Sequence, residues 1–369
     1  MQLFTDIEPD APARRRLRRL GWSILGVGLV GLVVVAFVPA PFVIEQPGPV
    51  YNTLGDVTVG DKTVSLIDIP GEETYPTKGS LDMLTVSIRG NRENLPSWLE
   101  VAAAYFDSSR AVVPVDAIYP VGQTVEQSNQ QGAVDMANSQ KAAVAAALTE
   151  LGYDLPSTLS VVETQPGSPA DGVLEADDVI VSVNGKTFAD VSALREEIAA
   201  NGTDAPAEVD ILRDGEELAL DITPELSTGD KPAPVLGIVV GSEYDFPFDV
   251  KIQLENVGGP SAGMMFALGI IDKLTPGELN GGENVAGTGT IDAAGAVGPI
   301  GGIRQKLYGA SNAGADYFLA PESNCNEVTR HIPAGLTVFS VATLDDALAA
   351  LEAISTGGGT GELPTCAVS

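Results

Sequence analysis

An apolar run without a single charge lies close to the start of the chain, at residues 21–38 (GWSILGVGLVGLVVVAFV). Its length is just sufficient to cross the hydrocarbon core of a bilayer. The run is preceded by an arginine cluster: Arg14, Arg15, Arg16, Arg18 and Arg19. Because such clusters stay on the cytoplasmic side, the pattern predicts a cytoplasmic basic tail at 1–20 and a transmembrane signal anchor at 21–39. The remainder would then be the extracytoplasmic part of a single-pass protein of the plasma membrane.

A cleaved signal peptide is the alternative interpretation of the same segment. Val38 and Ala40 satisfy the preference for small residues before a cleavage site. Pro41 would then directly follow the cut, where proline is unfavourable. The sequence therefore favours an anchor that stays attached, and it leaves open whether the anchor is ever cleaved.

Alternation of apolar and polar residues resumes beyond the anchor. The segments DVTVGDKTVSLIDI and SLDMLTVSIRG carry β-branched residues bounded by Gly, Asp and Pro, and they predict a β-rich segment over residues 40–135. The period then changes in MANSQKAAVAAALTELGY, residues 136–153, which predicts a helix. Asn138 or Ser139 is the candidate N-cap, and Gly152 is expected to end this helix.

A longer succession of elements follows this helix. LSVVETQPGSPADGVLEADDVIVSVNGKTFADVSALREEIAANG predicts a strand, a turn, a short helix, a strand, a hairpin and a helix with Val191, Leu194 and Ile198 on one face. Two further strands flank Asp214-Gly215. This order, and PGSPADGVLEADDVIVSVNG in particular, resembles a PDZ domain of the bacterial secreted-protease kind over residues 136–226. The resemblance implies binding of a chain end or extended peptide as an added strand.

Charge and motif content narrow the range of partners. The formal net charge is -30, and the acidic residues are spread along the chain. Nucleic acid and anionic membrane surfaces both require a basic patch, so neither is an expected partner. Gly185-Lys186-Thr187 resembles the end of a phosphate loop, but Ile180 stands where the first glycine of that motif belongs. A β-hairpin explains the tripeptide, and no ATP, other cofactor or metal is expected.

Both cysteines, Cys325 and Cys366, fall in the part predicted to be extracytoplasmic. An oxidising environment favours a disulfide between them. The bridge would hold the C-terminal tail, residues 356–369, against the preceding domain. The alternative is two free thiols.

A serine in a glycine-rich turn, ENVGGPSAGMMFALGIID, follows a predicted linker at 227–235. One interpretation is structural, since the glycines and Ala262 would let a buried helix pack closely. A second is a nucleophile elbow, because Gly259-Pro260-Ser261-Ala262-Gly263 satisfies G-x-S-x-G. The elbow would require Asp316 and His331 as partners. Its context is unfavourable, since no repeated strand–helix units precede it and the histidine lies in an ordinary loop sequence.

Lys306 offers the serine a different base. It lies in GAVGPIGGIRQKLYGASNAGA, where Gly301 and Gly302 predict a tight turn and a helix starts near residue 303. Burial lowers the pKa of a lysine because desolvation disfavours the ammonium form, and a neutral lysine can deprotonate a serine. A surface lysine is the competing interpretation on residue type alone.

Together, GGPSAG and GTGTIDAAGAVGPIGGIRQKL resemble the catalytic segment of Lon-type serine peptidases, in a domain predicted at 236–355. The resemblance implies that Ser261 is the nucleophile and that Lys306, 45 positions later, is its base. It implies that Thr288, 18 positions before the lysine, orients that lysine. The same resemblance assigns supporting positions in the turn to Gly259, Pro260 and Ala262.

Two features depart from the Lon pattern. The separation of serine and lysine is slightly longer than is typical, which implies a small insertion around TPGELNGGEN. Gly258 stands where many Lon proteins carry an acidic residue. The sequence also lacks the ATPase module of Lon, and in this it is similar to membrane-anchored, PDZ-containing Lon-like proteases of bacteria.

The expected fold class is α+β, with one N-terminal transmembrane helix, a PDZ domain and a Lon-type proteolytic α/β domain. Strands from 40–135 are expected to complete the Lon-type domain, with the PDZ domain inserted between its two parts. The expected function is ATP-independent cleavage of extracytoplasmic proteins by a membrane-anchored serine endopeptidase. The alternative is a catalytically silent, membrane-tethered PDZ scaffold. The resemblance is compatible with a homo-oligomer.

Overall fold

Helices and strands are interspersed through the part of the chain that the structure describes. The structure, a computed structural model, describes residues 11–120, 122, 124–188, 191–227, 232–255 and 257–366. Its helices are α1 (Ala11–Phe37), α2 (Trp98–Tyr105), α3 (Val115–Ile118), α4 (Val125–Glu150), α5 (Val191–Asn201), α6 (Gly263–Leu274), α7 (Ile303–Ala313), α8 (Cys325–Val328) and α9 (Leu344–Thr356).

The strands form two larger sheets and several two-stranded ones within the described residues. They are β1 (Phe42–Asn52), β2 (Asp56–Val59), β3 (Lys62–Ser65), β4 (Ile67–Asp68), β5 (Ser80–Arg89), β6 (Ala111–Pro114), β7 (Ser157–Thr164), β8 (Val179–Val183), β9 (Ala207–Arg213), β10 (Glu216–Ile222), β11 (Glu225–Leu226), β12 (Pro234–Val235), β13 (Ile238–Tyr244), β14 (Lys251–Ile252), β15 (Asn284–Gly287), β16 (Thr290–Ile291), β17 (Val297–Gly298), β18 (Tyr317–Pro321) and β19 (Thr337–Val341). The mixture confirms the predicted α+β class.

Contacts divide the chain into two units. The first unit comprises Met1–Gln46 and Ser87–Val125, and the second comprises Pro47–Val86 and Glu126–Ser369. The first unit contains α1, α2, α3, β6 and the beginning of β1. In this unit β1 pairs antiparallel with β6, so that Phe42 lies opposite Pro114.

The apolar run near the start of the chain is helical. Segment Arg18–Phe37 of α1 has a mean hydropathy of 2.3, and its described residues are not buried by the rest of the protein. Its 20 residues extend over about 30 Å at 1.5 Å per residue, which matches the thickness of a bilayer core. Length and composition suit a membrane span or a signal sequence. Residues 1–10 of the predicted basic tail lie outside the described residues.

The second unit is built on a sheet in which four neighbouring strands run parallel. Strands β19, β18, β15 and β5 lie side by side in that order, and β1 follows β5. Val285 of β15 lies opposite Leu81 of β5 on one side and Tyr317 of β18 on the other. The early segment SLDMLTVSIRG therefore supplies an interior strand to a sheet whose other parallel strands come from the end of the chain.

Each face of this sheet has its own core, because side chains alternate along the strands. One face packs Leu319 and Phe339 against α6, α9 and the last turns of α4. The opposite face packs Phe318 and Val338 against Leu307 of α7. Helices α6 and α7 thus lie on opposite faces, and side chains at their N-terminal ends meet beyond the ends of the strands.

The second large sheet has the order β10-β9-β8-β7-β13 and a separate core. Leu194 and Ile198 of α5 are buried in that core, on the predicted face. Asp214-Gly215 forms the turn between β9 and β10, and both residues have positive φ. Strand β13 lies in the segment that the sequence assigned to the catalytic domain, yet it pairs with β7 at the edge of this sheet.

Two local predictions are wrong. The short helix expected before β8 is replaced by turns, because Pro169 lacks an N–H and Gly172 has a φ of 72°. Helix α4 begins at Val125 rather than near residue 136, so Asn138 and Ser139 are interior to the helix and are not N-caps. Both side chains bond to other segments of the protein instead.

Cys325 and Cys366 are joined by a disulfide. The N–H of Cys366 donates to the carbonyl of Val338 at 3.1 Å, which places the described part of the tail beside β19. Residues 367–369 of the tail and residues 228–231 of the predicted linker lie outside the described residues.

A polypeptide that begins at Pro232 should not fold cooperatively on its own. It lacks β5, the neighbour of β15, and β4, which pairs with β14 through Ile67 and Ile252. Thermal unfolding followed by circular dichroism should show no sharp transition for this polypeptide and a sharp one for the chain from residue 40 onward. A sharp transition in the shorter polypeptide would contradict the two-part organisation of the sheet.

Candidate active site

The glycine-rich turn brings Ser261 to the start of α6. Gly259 has a φ of 86°, which residues with a side chain rarely adopt, so the chain can turn sharply before the helix begins at Gly263. The N–H of Gly259 donates to the carbonyl of Gly132 in α4 at 2.9 Å. The backbone that presents Ser261 is therefore held by a neighbouring helix as well as by its own turn.

Thr288 holds the other side of the turn. It lies one residue beyond β15, where its N–H donates to the carbonyl of Leu319 in β18 at 3.1 Å. Its Oγ1 donates to the carbonyl of Ser261 at 2.8 Å, and the N–H of Gly289 donates to the same oxygen at 3.0 Å. The end of a buried strand thus positions the threonine hydroxyl.

Helix α7 supplies Lys306 from the opposite face of the sheet. Gly302 precedes this helix with a φ of 67°, and a Cβ there would lie 2.7 Å from a methyl group of Val86, so glycine is required. Lys306 Nζ lies 2.7 Å from Ser261 Oγ and 2.9 Å from Thr288 Oγ1. The three residues singled out in the sequence are therefore in hydrogen-bonding contact.

The environment of Lys306 disfavours a charge. The side chain is 2% exposed, and no carboxylate among the described residues forms an ion pair with it. Burial lowers the pKa of Lys306 from its ordinary value of 10.5 to about 7. A substantial fraction of the amine is consequently neutral at neutral pH, and a neutral amine has a lone pair that can accept a proton.

The histidine-dependent alternative is not assembled. Asp316 lies just before the first residue of β18, whereas Thr288 lies just after the last residue of β15. Because β15 and β18 are parallel, the two residues lie at opposite ends of the strands. The pKa of His331 is lowered by partial burial and then by the charges of Arg304 and Arg330. The basic group that reaches Ser261 Oγ is the amine of α7.

Helix α4 makes contacts that sequence reasoning missed. Ser139 Oγ donates to the carbonyl of Pro260, the residue before Ser261, at 2.9 Å. Asn138 Nδ2 donates to the carbonyl of Val240 in β13 at 3.2 Å. The Asn-Ser pair is typical of an N-cap in sequence, and only the longer course of the helix shows that it bridges two segments.

A cavity of about 450 Å³ lies between α5 and β13. Its apolar lining includes Leu194 and Ile198 from the helix and Ile238 and Val240 from the strand. Arg195 adds a positive charge at its wall. Because β13 is the last strand of its sheet, the cavity lies beside a sheet edge.

A serine at a helix start, in contact with a buried lysine, has the arrangement of a serine hydrolase that uses an amine as its base. Comparison with known proteins identifies the two domains. Residues 256–353 match the Lon protease (S16) C-terminal proteolytic domain, and residues 122–223 match a PDZ domain. The chain therefore contains a Lon-type proteolytic domain and a PDZ domain, which confirms both resemblances seen in the sequence.

Individual relatives match only part of the chain. The Lon protease of Lachnoclostridium phytofermentans is 34% identical over 116 residues, which cover 30% of this chain and 14% of that protein. The Lon protease of Geobacter metallireducens is 37% identical over 111 residues, covering 29% and 13%. The chain thus matches about one seventh of the length of these relatives. A crystal structure of the PDZ domain of an SdrC-like protein from Listeria innocua is 20% identical, with a TM-score of 0.21, and covers 22% of this chain and 92% of that one.

Replacement of Lys306 by methionine should change how stability depends on pH. Below about pH 7 the folded wild-type protein buries an ammonium group, which lowers its free energy of unfolding. Between about pH 7 and 10.5 Lys306 is neutral in the folded state but protonated in the unfolded state, so the free energy of unfolding rises with pH. The free energy of unfolding of Lys306→Met, relative to that of the wild type, should therefore be highest below about pH 7 and should fall as pH rises. Urea unfolding over this range measures the difference, and a constant difference would contradict a lowered pKa.

Proposed function

We propose that this chain is a membrane-anchored, ATP-independent serine endopeptidase in which Ser261 and Lys306 form the catalytic dyad. The observation that carries the proposal is the 2.7 Å contact between a buried, uncompensated lysine amine and a serine hydroxyl at a helix start. The Lon-type domain match supports peptide hydrolysis as the reaction. The absence of a phosphate-loop motif from the sequence supports independence from ATP.

The proposed reaction proceeds through an acyl-enzyme. Neutral Lys306 takes the proton from Ser261 Oγ as that oxygen bonds to the scissile carbonyl carbon. The resulting ammonium group then gives its proton to the leaving amine as the C–N bond breaks. Lys306 next takes a proton from water, whose oxygen attacks the ester, and the proton returns to Ser261 when the ester bond breaks. Thr288 Oγ1 holds the amine in position between these transfers.

Backbone N–H groups at the turn form the proposed oxyanion site. The N–H groups of Gly259 and Met264 already donate to the carbonyls of Gly132 and Gly289. Within the described part of the chain, the N–H groups of Ser261 and Ala262 have no such backbone acceptor. These donors lie at a helix N-terminus, where the dipole favours a negative charge. One donor of this kind typically stabilises a transition state by roughly 3 kcal/mol.

The cavity between α5 and β13 is the proposed site for a substrate chain end or extended peptide. An added peptide strand would extend the sheet at β13, with its side chains against Leu194 and Ile198. The guanidinium group of Arg195 is suited to a terminal carboxylate. The PDZ domain match supports peptide binding.

The proposed location follows from the order of charge and apolar residues. Helix α1 would cross the plasma membrane once, with its arginine cluster in the cytoplasm and both domains outside. Substrates would accordingly be extracytoplasmic proteins. The disulfide between Cys325 and Cys366 is consistent with that oxidising compartment.

A silent PDZ scaffold is the competing function. A scaffold has no need for a buried amine, whose desolvation is unfavourable, next to a serine hydroxyl. The contacts among Ser261, Thr288 and Lys306 therefore favour the enzyme.

Loss of either dyad residue should abolish cleavage of an unstructured protein substrate in the absence of nucleotide. Ser261→Ala removes the nucleophile, Lys306→Ala removes the base, and Lys306→Arg replaces it with a group that stays protonated. Lys273→Met is the control, since Lys273 is half-buried and has a pKa lowered by desolvation, but its amine bonds to Ser65 and not to Ser261. The control should retain activity. Unchanged turnover in both Ser261→Ala and Lys306→Ala would exclude the dyad.

The pH profile gives a second readout of the same dyad. Because the pKa of Lys306 is lowered to about 7, kcat/KM should rise with pH and level off above that value. A profile that stays flat between about pH 6 and 8.5, with the protein still folded, would contradict Lys306 as the base.

Peptide binding in the cavity should be lost when a charged side chain fills it. Val191→Arg introduces a guanidinium group into the cavity lining, whereas Ala199→Arg places the same group on the exposed side of α5. On an array of peptides with free C-termini, Val191→Arg should lose the signals of the parent protein and Ala199→Arg should keep them. Equal binding by both variants would place the peptide site elsewhere. The parent should be Ser261→Ala, so that bound peptides are not cleaved.

A further inference from the structure

Helix α2 presents an apolar face to solvent in the first unit. Its exposed positions are Trp98, Leu99, Ala102, Ala103 and Tyr105, followed by Phe106 at its C-cap. None of these side chains is charged. Positions 98, 102 and 105 form one stripe along the helix and positions 99, 103 and 106 form the adjacent stripe, so the face is continuous.

The large side chains on this face are far from buried. Trp98 is 41% exposed, Leu99 54%, Tyr105 80% and Phe106 87%. Soluble proteins seldom leave so many large apolar side chains together in water, and such a patch marks a surface that contacts a partner or a membrane. Val101 and Ala104, on the opposite side, are the buried positions that attach α2 to the unit.

The position of α2 indicates a membrane contact rather than a protein partner. The N–H of Trp98 donates to the carbonyl of Val38 at 3.2 Å, and Pro39 bridges to Ser97. The first residue of α2, Trp98, is therefore bonded to Val38, which is one residue past Phe37, the end of the apolar helix α1. The Trp98 ring packs edge-on against Phe42, with centroids 5.8 Å apart. If α1 spans a bilayer, these contacts fix the start of α2 at the outer boundary of the hydrocarbon core.

The composition of the face suits that boundary. Tryptophan and tyrosine are enriched at membrane–water interfaces, because their rings are apolar and their N–H or O–H groups are polar. The charged residues within and shortly after α2 are paired, Glu100 with Arg89 and Asp107 with Arg110. A face with no free cation would bind lipid through burial of apolar surface, without a requirement for anionic headgroups.

We propose that α2 lies in the interfacial layer of the outer leaflet and is a second, peripheral membrane contact of this protein. The inference rests on the proposed membrane anchor. Trp98, Leu99, Tyr105 and Phe106 would insert among the headgroups and the first acyl carbons. This contact would restrain the first unit at the bilayer surface, in addition to the tether provided by α1.

The two tryptophans of the chain, Trp22 and Trp98, allow a direct test in the full-length protein. Trp22→Phe leaves Trp98 as the reporter of α2, and Trp98→Phe leaves Trp22 as the reporter of α1. Both variants are reconstituted in phosphatidylcholine vesicles with acyl chains brominated near the headgroup end. The expected result is loss of Trp98 emission in brominated vesicles, a blue-shifted spectrum and weak quenching by iodide added outside. High salt should leave these signals unchanged.

The other outcomes separate the two proposals. If Trp22 is quenched by brominated lipid and Trp98 is quenched by iodide alone, the anchor stands and the proposal for α2 is overturned. A Trp98 that is protected from iodide but unaffected by brominated lipid would indicate a protein partner, such as a second copy of the chain, and would also overturn it. Failure of brominated lipid to quench Trp22 would refute the anchor itself. Phe106→Trp in a background without Trp22 and Trp98 repeats the test at the far end of α2, in case Trp98 reports its contact with Phe42.

Discussion

Burial of one amine without a counter-charge is the constraint on which the rest of the site depends. Lys306 is buried, and among the described residues its amine bonds to the neutral hydroxyls of Ser261 and Thr288. Hydroxyls bond to the amine without supplying a negative charge, whereas a carboxylate at the same distance would restore the pKa of Lys306 toward its ordinary value. The environment must therefore be apolar, closely packed and closed on the sides that face the core, and the two cores of the sheet provide this.

The sheet makes that environment by bringing distant segments together. Helices α6 and α7 occupy opposite faces, and the end of β15 lies between their N-terminal ends. Strand β15 is itself held between β18 and β5, and β5 comes from the segment that precedes the PDZ domain. The geometry of the site thus requires pairing between parts of the chain separated by about 200 residues. Closing a loop of this length in an unfolded chain has an entropic cost. The intervening PDZ domain shortens the effective loop, because it folds with its own core.

Short local motifs predicted which side chains meet at the site better than the sequence pattern predicted the long elements. Ser261, Thr288 and Lys306 could be singled out because GGPSAG, GTGTI and the Gly-Gly turn resemble the catalytic segment of Lon-type peptidases. The start of α4 could not be predicted, because EQSNQQGAVD is polar and shows no helical period. The pairing partner of β13 could not be predicted for a related reason. An alternating strand has the same pattern in either sheet, and only tertiary pairing shows that it joins β7. The contact of Asn138 with β13 and that of Ser139 with Pro260 depend on the full course of α4 and on tertiary pairing, so the sequence did not predict them.

Helix α4 links the serine turn to the sheet of the PDZ domain. Over three turns the helix bonds Gly259 through Gly132, Pro260 through Ser139, and the edge strand of the PDZ sheet through Asn138 and Lys141. An α-helix resists bending over so short a length, so these contacts are geometrically linked. A substitution at the PDZ end of α4 is thus also a substitution in the scaffold of the serine turn. Variants meant to separate the proposed peptide recognition from the proposed cleavage should therefore lie away from this helix, because a substitution along it affects both segments.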